Sequence, residues 1–324
     1  MDKKKYLEFR KQINFKFKHK VLFQHLLLDT GLMTLNYFLL TSFKESPWVY
    51  LSIPIFASLM FRNFSLMHEA VHGLVSKNKL INDGVGIIAG GLCLLPYEPW
   101  KQVHLEHHYW SGNIEKDPVM ALARTFPDWN KKIKISLGFL WKAWIPVLAL
   151  LQYAVFWILS SVKFLKNPRC LRFLTSMALP IMGIIGLCYA MGSNQVLTIL
   201  LPSVFLYLLA VEVVNFPHHV GLPYFDDENH IPVWDQHITA RSCVYPTWIS
   251  KLIVLNFNYH IEHHMFPDAP WYYLSDLHKL ISAELKDQYN TDPQFVWIKE
   301  NRVKSLSELF KSEQRIKDQQ KRSA

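Results

Sequence analysis

Four apolar runs, at residues 21–40, 48–66, 171–191 and 195–214, alternate with stretches crowded with charge. An α-helix needs about 20 apolar residues to cross roughly 30 Å of hydrocarbon, so each run is a candidate span. The runs come in pairs. Residues 41–47 join the first two and residues 192–194 the last two, which predicts two helical hairpins. The second connection carries no charge while both its flanks carry Lys and Arg, and this asymmetry puts the connection outside and the flanks inside. Arg62 and Asn63, late in the second run, are expected to mark its exit into the cytosol. His25, Asp29 and Asn36 interrupt the first run and should face protein rather than lipid.

Two further apolar stretches read differently. Residues 81–96 are short and glycine-rich, the pattern of a re-entrant or interfacial segment. Residues 137–165 are rich in Trp but broken by Lys142, Pro146 and Lys163, which favours the membrane–water boundary. The expected architecture is an all-α integral membrane protein: four transmembrane helices, interfacial helices and a cytosolic cap, with both termini cytosolic. With no Gly/Ser linker or repeat, the chain divides into a basic segment at 1–20, one membrane domain at 21–290 and a charged tail at 291–324.

Composition sharpens this picture. Half of the 324 residues are hydrophobic, and the net charge of +9 gathers at the ends and in the long central loop, as suits segments beside anionic lipid. A nucleic-acid binder could share the charge but would leave the apolar runs unexplained. The first twenty residues hold eight Lys or Arg and no cleavage-site pattern follows them, so a cleavable signal peptide is not expected. Cys93, Cys170, Cys188 and Cys243 show no paired spacing, which argues against a disulfide framework and fits a reducing compartment.

The chemistry lies in the histidines. Ten of the fifteen fall into four groups beside the apolar runs: His68 and His72; His104, His107 and His108; His218 and His219; and His260, His263 and His264. Neutral imidazole is the commonest protein ligand for iron, zinc and copper. Helical residues three or four apart share a face, whereas adjacent ones diverge by about 100°. Each HxxHH triplet can therefore serve two neighbouring ions. Glu69, Glu106, Asp117 and Glu262 are candidates to orient the rings. His19, His25, His230, His237 and His278 are isolated and read as surface or packing residues; His218 is ambiguous.

His68-Glu69-Ala-Val-His72 is also the HExxH of a zinc protease, a genuine rival. A catalytic zinc needs only about three protein ligands, which leaves most of the clustered histidines without a role. A ferritin-type di-iron site would need paired Glu-x-x-His motifs, and only Glu69-x-x-His72 fits. A metal transporter would need ligands within the spans, whereas these gather at span ends.

The boxes, their order and the strings Asp117-Pro118 and Asn258-Tyr-His-Ile-Glu-His-His-Met-Phe-Pro resemble the integral-membrane fatty acid desaturase family over roughly residues 45–280. The resemblance implies an O2-dependent oxidoreductase with two non-haem irons on the cytosolic face. The implied ligands are His68, His72, His104, His107, His108, His219, His260, His263 and His264, with Asn215 acting through a water. Pro217 and the extra His218 depart from the commonest form of the third box. Desaturation of a fatty acyl chain is the first reading; a hydroxylase, a carotenoid ketolase and an alkene-forming decarboxylase are the alternatives within the superfamily. The chain has neither a haem-binding His-Pro-Gly-Gly element nor a flavin fingerprint, so the electron donor is expected to be a separate ferredoxin or cytochrome b5-like protein.

Overall fold

A computed structural model describes residues 1–159, 170–226 and 228–310. Residues 160–165, at the end of the 137–165 stretch, and residues 311–324 lie outside the described residues. The described residues are mostly helical, with one two-stranded parallel ribbon that pairs β1 (Ser242–Val244) with β2 (Thr291–Pro293).

Helix α1 (Lys3–Gln12) is short, and its Tyr6 ring stacks on Phe266 in the cap at 4.5 Å. Helix α2 (His19–Ser42) exposes Phe23, Leu27 and Tyr37 but buries His25, Asp29 and Asn36. Two of those polar groups meet Arg62 of α3 (Ser52–Val71): His25 Nδ1 lies 2.8 Å from Arg62 Nη2, and Asp29 accepts from Arg62 Nε. This corrects the expectation that Arg62 marks the helix exit. It is buried at 1% exposure against a carboxylate, and α3 continues to Val71, just short of His72. A charge this deep persists only when paired.

Helices α4 (Lys79–Leu92) and α5 (Tyr97–Trp110) meet at a bend of 106°. Gly86 allows the fold-back, because a Cβ there would lie 2.2 Å from the Tyr97 ring. Carbonyls freed at the bend find donors: Tyr153 Oη donates to Cys93 O at 3.0 Å and Trp157 Nε1 to Leu94 O at 2.9 Å. The small α6 (Ala121–Thr125) precedes α7 (Lys131–Lys142), which bends by 120° into α8 (Val147–Ala154).

Helix α9 (Cys170–Gln195) breaks at Gly192 (φ 74°, ψ 162°), within the connection expected between the third and fourth runs. Its Pro180 packs on Gly91 of α4, and beyond the break at Gly192 the chain continues into α10 (Leu201–Asn215). Gln195 Nε2 donates to Leu40 O at 3.1 Å, which seats this turn beside the end of α2. Helices α3 and α10 pack side by side, and both deliver histidines at their far ends. Among the described residues, Pro47–Val71 and Phe173–His218 are long and apolar enough to cross a membrane, and the two bent pairs raise that number to four by length and composition. Helix α2 is not among them, because its buried polar groups dilute its apolarity.

The cap is built from α11 (His260–Met265), α12 (Trp271–Leu285), α13 (Gln294–Asn301) and α14 (Leu306–Leu309). Residues 294–309 are folded onto the body through buried Trp297, Ile298, Leu306 and Leu309, and a capping box of Ser305 and Glu308 starts α14.

Candidate metal centre

Nine imidazoles from four segments meet in two adjacent clusters. One holds His68, His72, His104, His108 and His263; the other holds His107, His219, His260 and His264. Within each, the candidate ligand atoms lie within 4.8 Å of one another. Helical geometry divides the boxes. On α5, His104 and His108 (one turn apart) serve the first cluster, while His107 turns to the second. On α11 the division is inverted: His260 and His264 serve the second cluster and His263 the first. The clusters touch where the His108 and His264 rings stack at 4.3 Å.

The second cluster shows what it is built for. A neutral imidazole carries one N–H. His107 Nδ1 faces Asp117 Oδ1 at 2.8 Å, His219 Nδ1 faces Thr239 O at 2.9 Å, and His264 Nδ1 faces Gln236 Oε1 at 3.0 Å. These acceptors fix the proton on Nδ1, so each Nε2 presents a bare lone pair inward. Yet His107 Nε2 stands 3.1 Å from His219 Nε2 and 3.2 Å from His264 Nε2. Lone pairs that close repel unless a cation lies between them. An ion about 2.1 Å from each nitrogen sets right-angled neighbours about 3.0 Å apart, the spacing found. The first cluster repeats it: His72–His104 at 2.9 Å, His104–His108 at 3.1 Å and His108–His263 at 2.8 Å, all between Nε2 atoms. His68 closes that cluster, its ring 4.2 Å from that of His263 and its buried Nε2 free of other partners among the described residues. The donor set therefore fits two ions that favour imidazole.

Burial keeps the rings neutral and ready to ligate. It holds His72 and His219 down to about 3, His219 with a further push from His107, and holds His260, His263 and His264 well below the usual imidazole range.

A matched family model now adds to the geometry: the fatty acid desaturase model covers residues 45–295. The chain belongs to the fatty acid desaturase family. Among its relatives are the omega-3 fatty acid desaturase fat-1 of Caenorhabditis elegans (25% identical, covering 85% of this chain and 74% of that protein), the sn-1 acyl-lipid omega-3 desaturase (ferredoxin) of Synechocystis sp. (23%; 83% and 77%) and the Delta(12) fatty acid desaturase FAD2 of Calendula officinalis (22%; 83% and 77%).

The surroundings of this desaturase-family centre differ in part from the sequence reading. Of the carboxylates expected to orient rings, Asp117 does so, whereas Glu106 is exposed. Glu69 accepts from the Trp271 amide at 3.0 Å and so braces α12, while its other oxygen lies 3.7 Å from His68 Nδ1. Glu262 anchors α11 instead, taking bonds from Ser242 Oγ (2.6 Å), Tyr289 Oη (2.6 Å) and His278 Nδ1 (3.1 Å). His278 thus has a structural task that its isolation in the sequence hid. Gln236 was also missed; its Oε1 faces the His264 ring at 3.0 Å and its Nε2 donates to the backbone carbonyl of His108 at 2.9 Å, so it touches one residue of each cluster. Nothing in local spacing marks it. His218 joins neither cluster: it is buried and stacked on His260 at 4.1 Å, and its ring nitrogens have no hydrogen-bond partner among the described residues.

A cavity of about 630 Å³ opens beside the second cluster, walled by Leu148, Leu151, Val155 and Val211 and reaching His219 and Asn215. A narrower chamber of about 90 Å³ shares Val103, Val119, Gln152, Phe156, Asn215 and His219 with it and touches His104, His107 and His260. Together they make a continuous, mostly apolar approach to the histidines.

Proposed function

We propose that this chain is a membrane-bound desaturase that uses O2 and two non-haem irons to introduce a double bond into a fatty acyl chain. The converging lone pairs of two histidine clusters, next to an apolar cavity, carry the reading, and relatives named as omega-3 and Delta(12) desaturases support it. Irons held by the nine histidines would supply the oxidising power that no side chain has, in a reaction where –CH2–CH2–, O2, two electrons and two protons become –CH=CH– and two waters.

The chain's own residues account for the rest. Leu148, Leu151, Val155 and Val211 hold the acyl chain by apolar contact and keep water out. The narrow chamber bounded by Val119, Phe156 and Asn215 fixes which methylenes lie near the histidines. Asp117, Thr239 and Gln236 hold the Nδ1 protons of His107, His219 and His264 and so aim their Nε2 atoms. Asn215, at the end of α10, takes its part through a water. Electrons come from a separate donor, a ferredoxin or cytochrome b5-like protein, at the cytosolic face, and the chain lies in the membrane with both termini on that side. The test joins iron analysis to lipid mass spectrometry of cells expressing the chain. Two irons per chain and a new double bond are expected. One zinc per chain, or hydroxylated or ketolated products with unchanged unsaturation, overturns the reading.

A further inference from the structure

A second cavity, of about 470 Å³, lies away from the histidines in the groove between the α7–α8 bend and α13. Its walls join two chemistries. Lys142 and Lys299 are exposed at its rim with Arg302 behind them, while Trp144, Phe295 and Val303 form apolar shoulders at 44%, 65% and 68% exposure. Among the described residues, the carboxylate that pairs with Arg302 is Glu212, whose Oε1 lies 2.8 Å from Arg302 Nη1.

Arg302 is the telling residue. It is 3% exposed, and its guanidinium is held between the rings of Trp141 and Trp144, 3.8 Å and 4.8 Å from their centres. Its Nε and Nη2 have no hydrogen-bond partner among the described residues. Buried guanidinium donors are rarely left empty, because each costs free energy when stripped of water. Glu212 uses its other oxygen for the Leu148 and Ala149 amides at 2.6 and 3.2 Å, so it leaves the forward donors of Arg302 unserved. An incoming anion would meet one fixed guanidinium and two mobile ammonium groups.

We propose that this groove binds the phosphate of a membrane glycerophospholipid. Arg302 and the two lysines take the phosphate oxygens, and Trp144, Phe295 and Val303 take the adjoining apolar part of the lipid. Free phosphate shares the anionic chemistry but has no use for exposed apolar shoulders. Trp and Lys at a bend between two apolar helices are moreover the usual chemistry of the membrane boundary. The site stands back to back with the acyl cavity, since Arg302 lines the groove and its partner Glu212 lines the cavity.

The experiment uses the full chain, purified in neutral detergent and titrated with dioctanoyl phosphatidylglycerol, with binding counted by native mass spectrometry. One saturable site is expected. The exposed double substitution Lys142→Gln/Lys299→Gln should weaken it about thirtyfold, at roughly fivefold per lysine. Dioctanoylglycerol, which lacks the phosphate, should not bind there, and millimolar inorganic phosphate should not displace the lipid. Equal binding by the native and substituted chains overturns the site, and displacement by phosphate overturns the lipid as its occupant. Iron content measured on the same samples reports separately on the metal centre, so failure of the groove leaves the desaturase reading intact.

Discussion

Replacing Asp117 with Asn isolates the orienting bond on which the second cluster depends. Asp117 is 1% exposed and takes three donors: His107 Nδ1 at 2.8 Å, the Val119 amide at 2.9 Å and the Gly112 amide at 2.9 Å. Truncation to Ala would orphan all three, at about 1–3 kcal/mol each, or roughly 3–9 kcal/mol together. That rivals the whole stability of a typical fold, about 5–15 kcal/mol, so Asp117→Ala should fail to accumulate. Asn keeps the shape and one carbonyl oxygen but removes the negative charge that supports His107, and its amide group opposes one of the donors. Loss of such a partner typically costs 10–100-fold in metal affinity, about 1.4–2.7 kcal/mol. The assay is iron per chain against a graded chelator, with fatty acid unsaturation read from the same cells. A folded Asp117→Asn protein whose iron affinity stays within about twofold of native would refute the assignment of His107 as a ligand held by Asp117.

Four further outcomes follow from the same geometry. His264→Ala should abolish desaturation while the protein still partitions with membranes; retained turnover removes His264 from the ligand set. Glu262→Ala orphans Ser242 and Tyr289, while His278 keeps Tyr289, and should cost about 2–6 kcal/mol, seen as a lowered melting temperature in detergent, whereas an unchanged melt contradicts the anchoring role of Glu262. Leu151→Trp, on the cavity wall, should shift products toward shorter acyl chains, and a native chain-length profile would detach this cavity from the substrate. Because burial lowers His72 and His219 from 6.5 to about 3, the unfolded chain binds more protons below pH 6.5. The stability these rings confer is whole above pH 6.5 and drains away as the pH falls toward 3. Melting temperature should therefore drop between pH 7 and pH 5; a flat or rising trend counts against neutral buried rings.

The sequence exposed the chemistry better than its supports. Boxes of i, i+3 and i+4 histidines are visible because helical periodicity is local, and the 100° divergence of His107 from His108 already allowed the split into two clusters. The same rule places Gly192 in a connection, since an uncharged break between apolar runs has few other uses. What stayed hidden depends on distant chain. Gln236 and His278 act through partners 28 and 16 residues away, and no spacing rule links them. Arg62 read as a helix exit because a charge near the end of an apolar run usually reaches water; its partner Asp29, 33 residues earlier, reversed that logic. Glu106 looked like an orienting carboxylate from its place beside His107, but its helix face turns it to solvent. Orientation about a helix axis was readable, whereas contact across the molecule was not.

The inverted division of the two HxxHH boxes has a consequence for assembly. Since α5 and α11 each contribute to both clusters, neither helix can settle around one ion without pre-positioning rings for the other. With ions bound, occupancy of one pocket would lower the ordering cost of its neighbour, so filling would be coupled. A shortage of metal would then divide the population into complete and empty molecules instead of dimming every molecule alike.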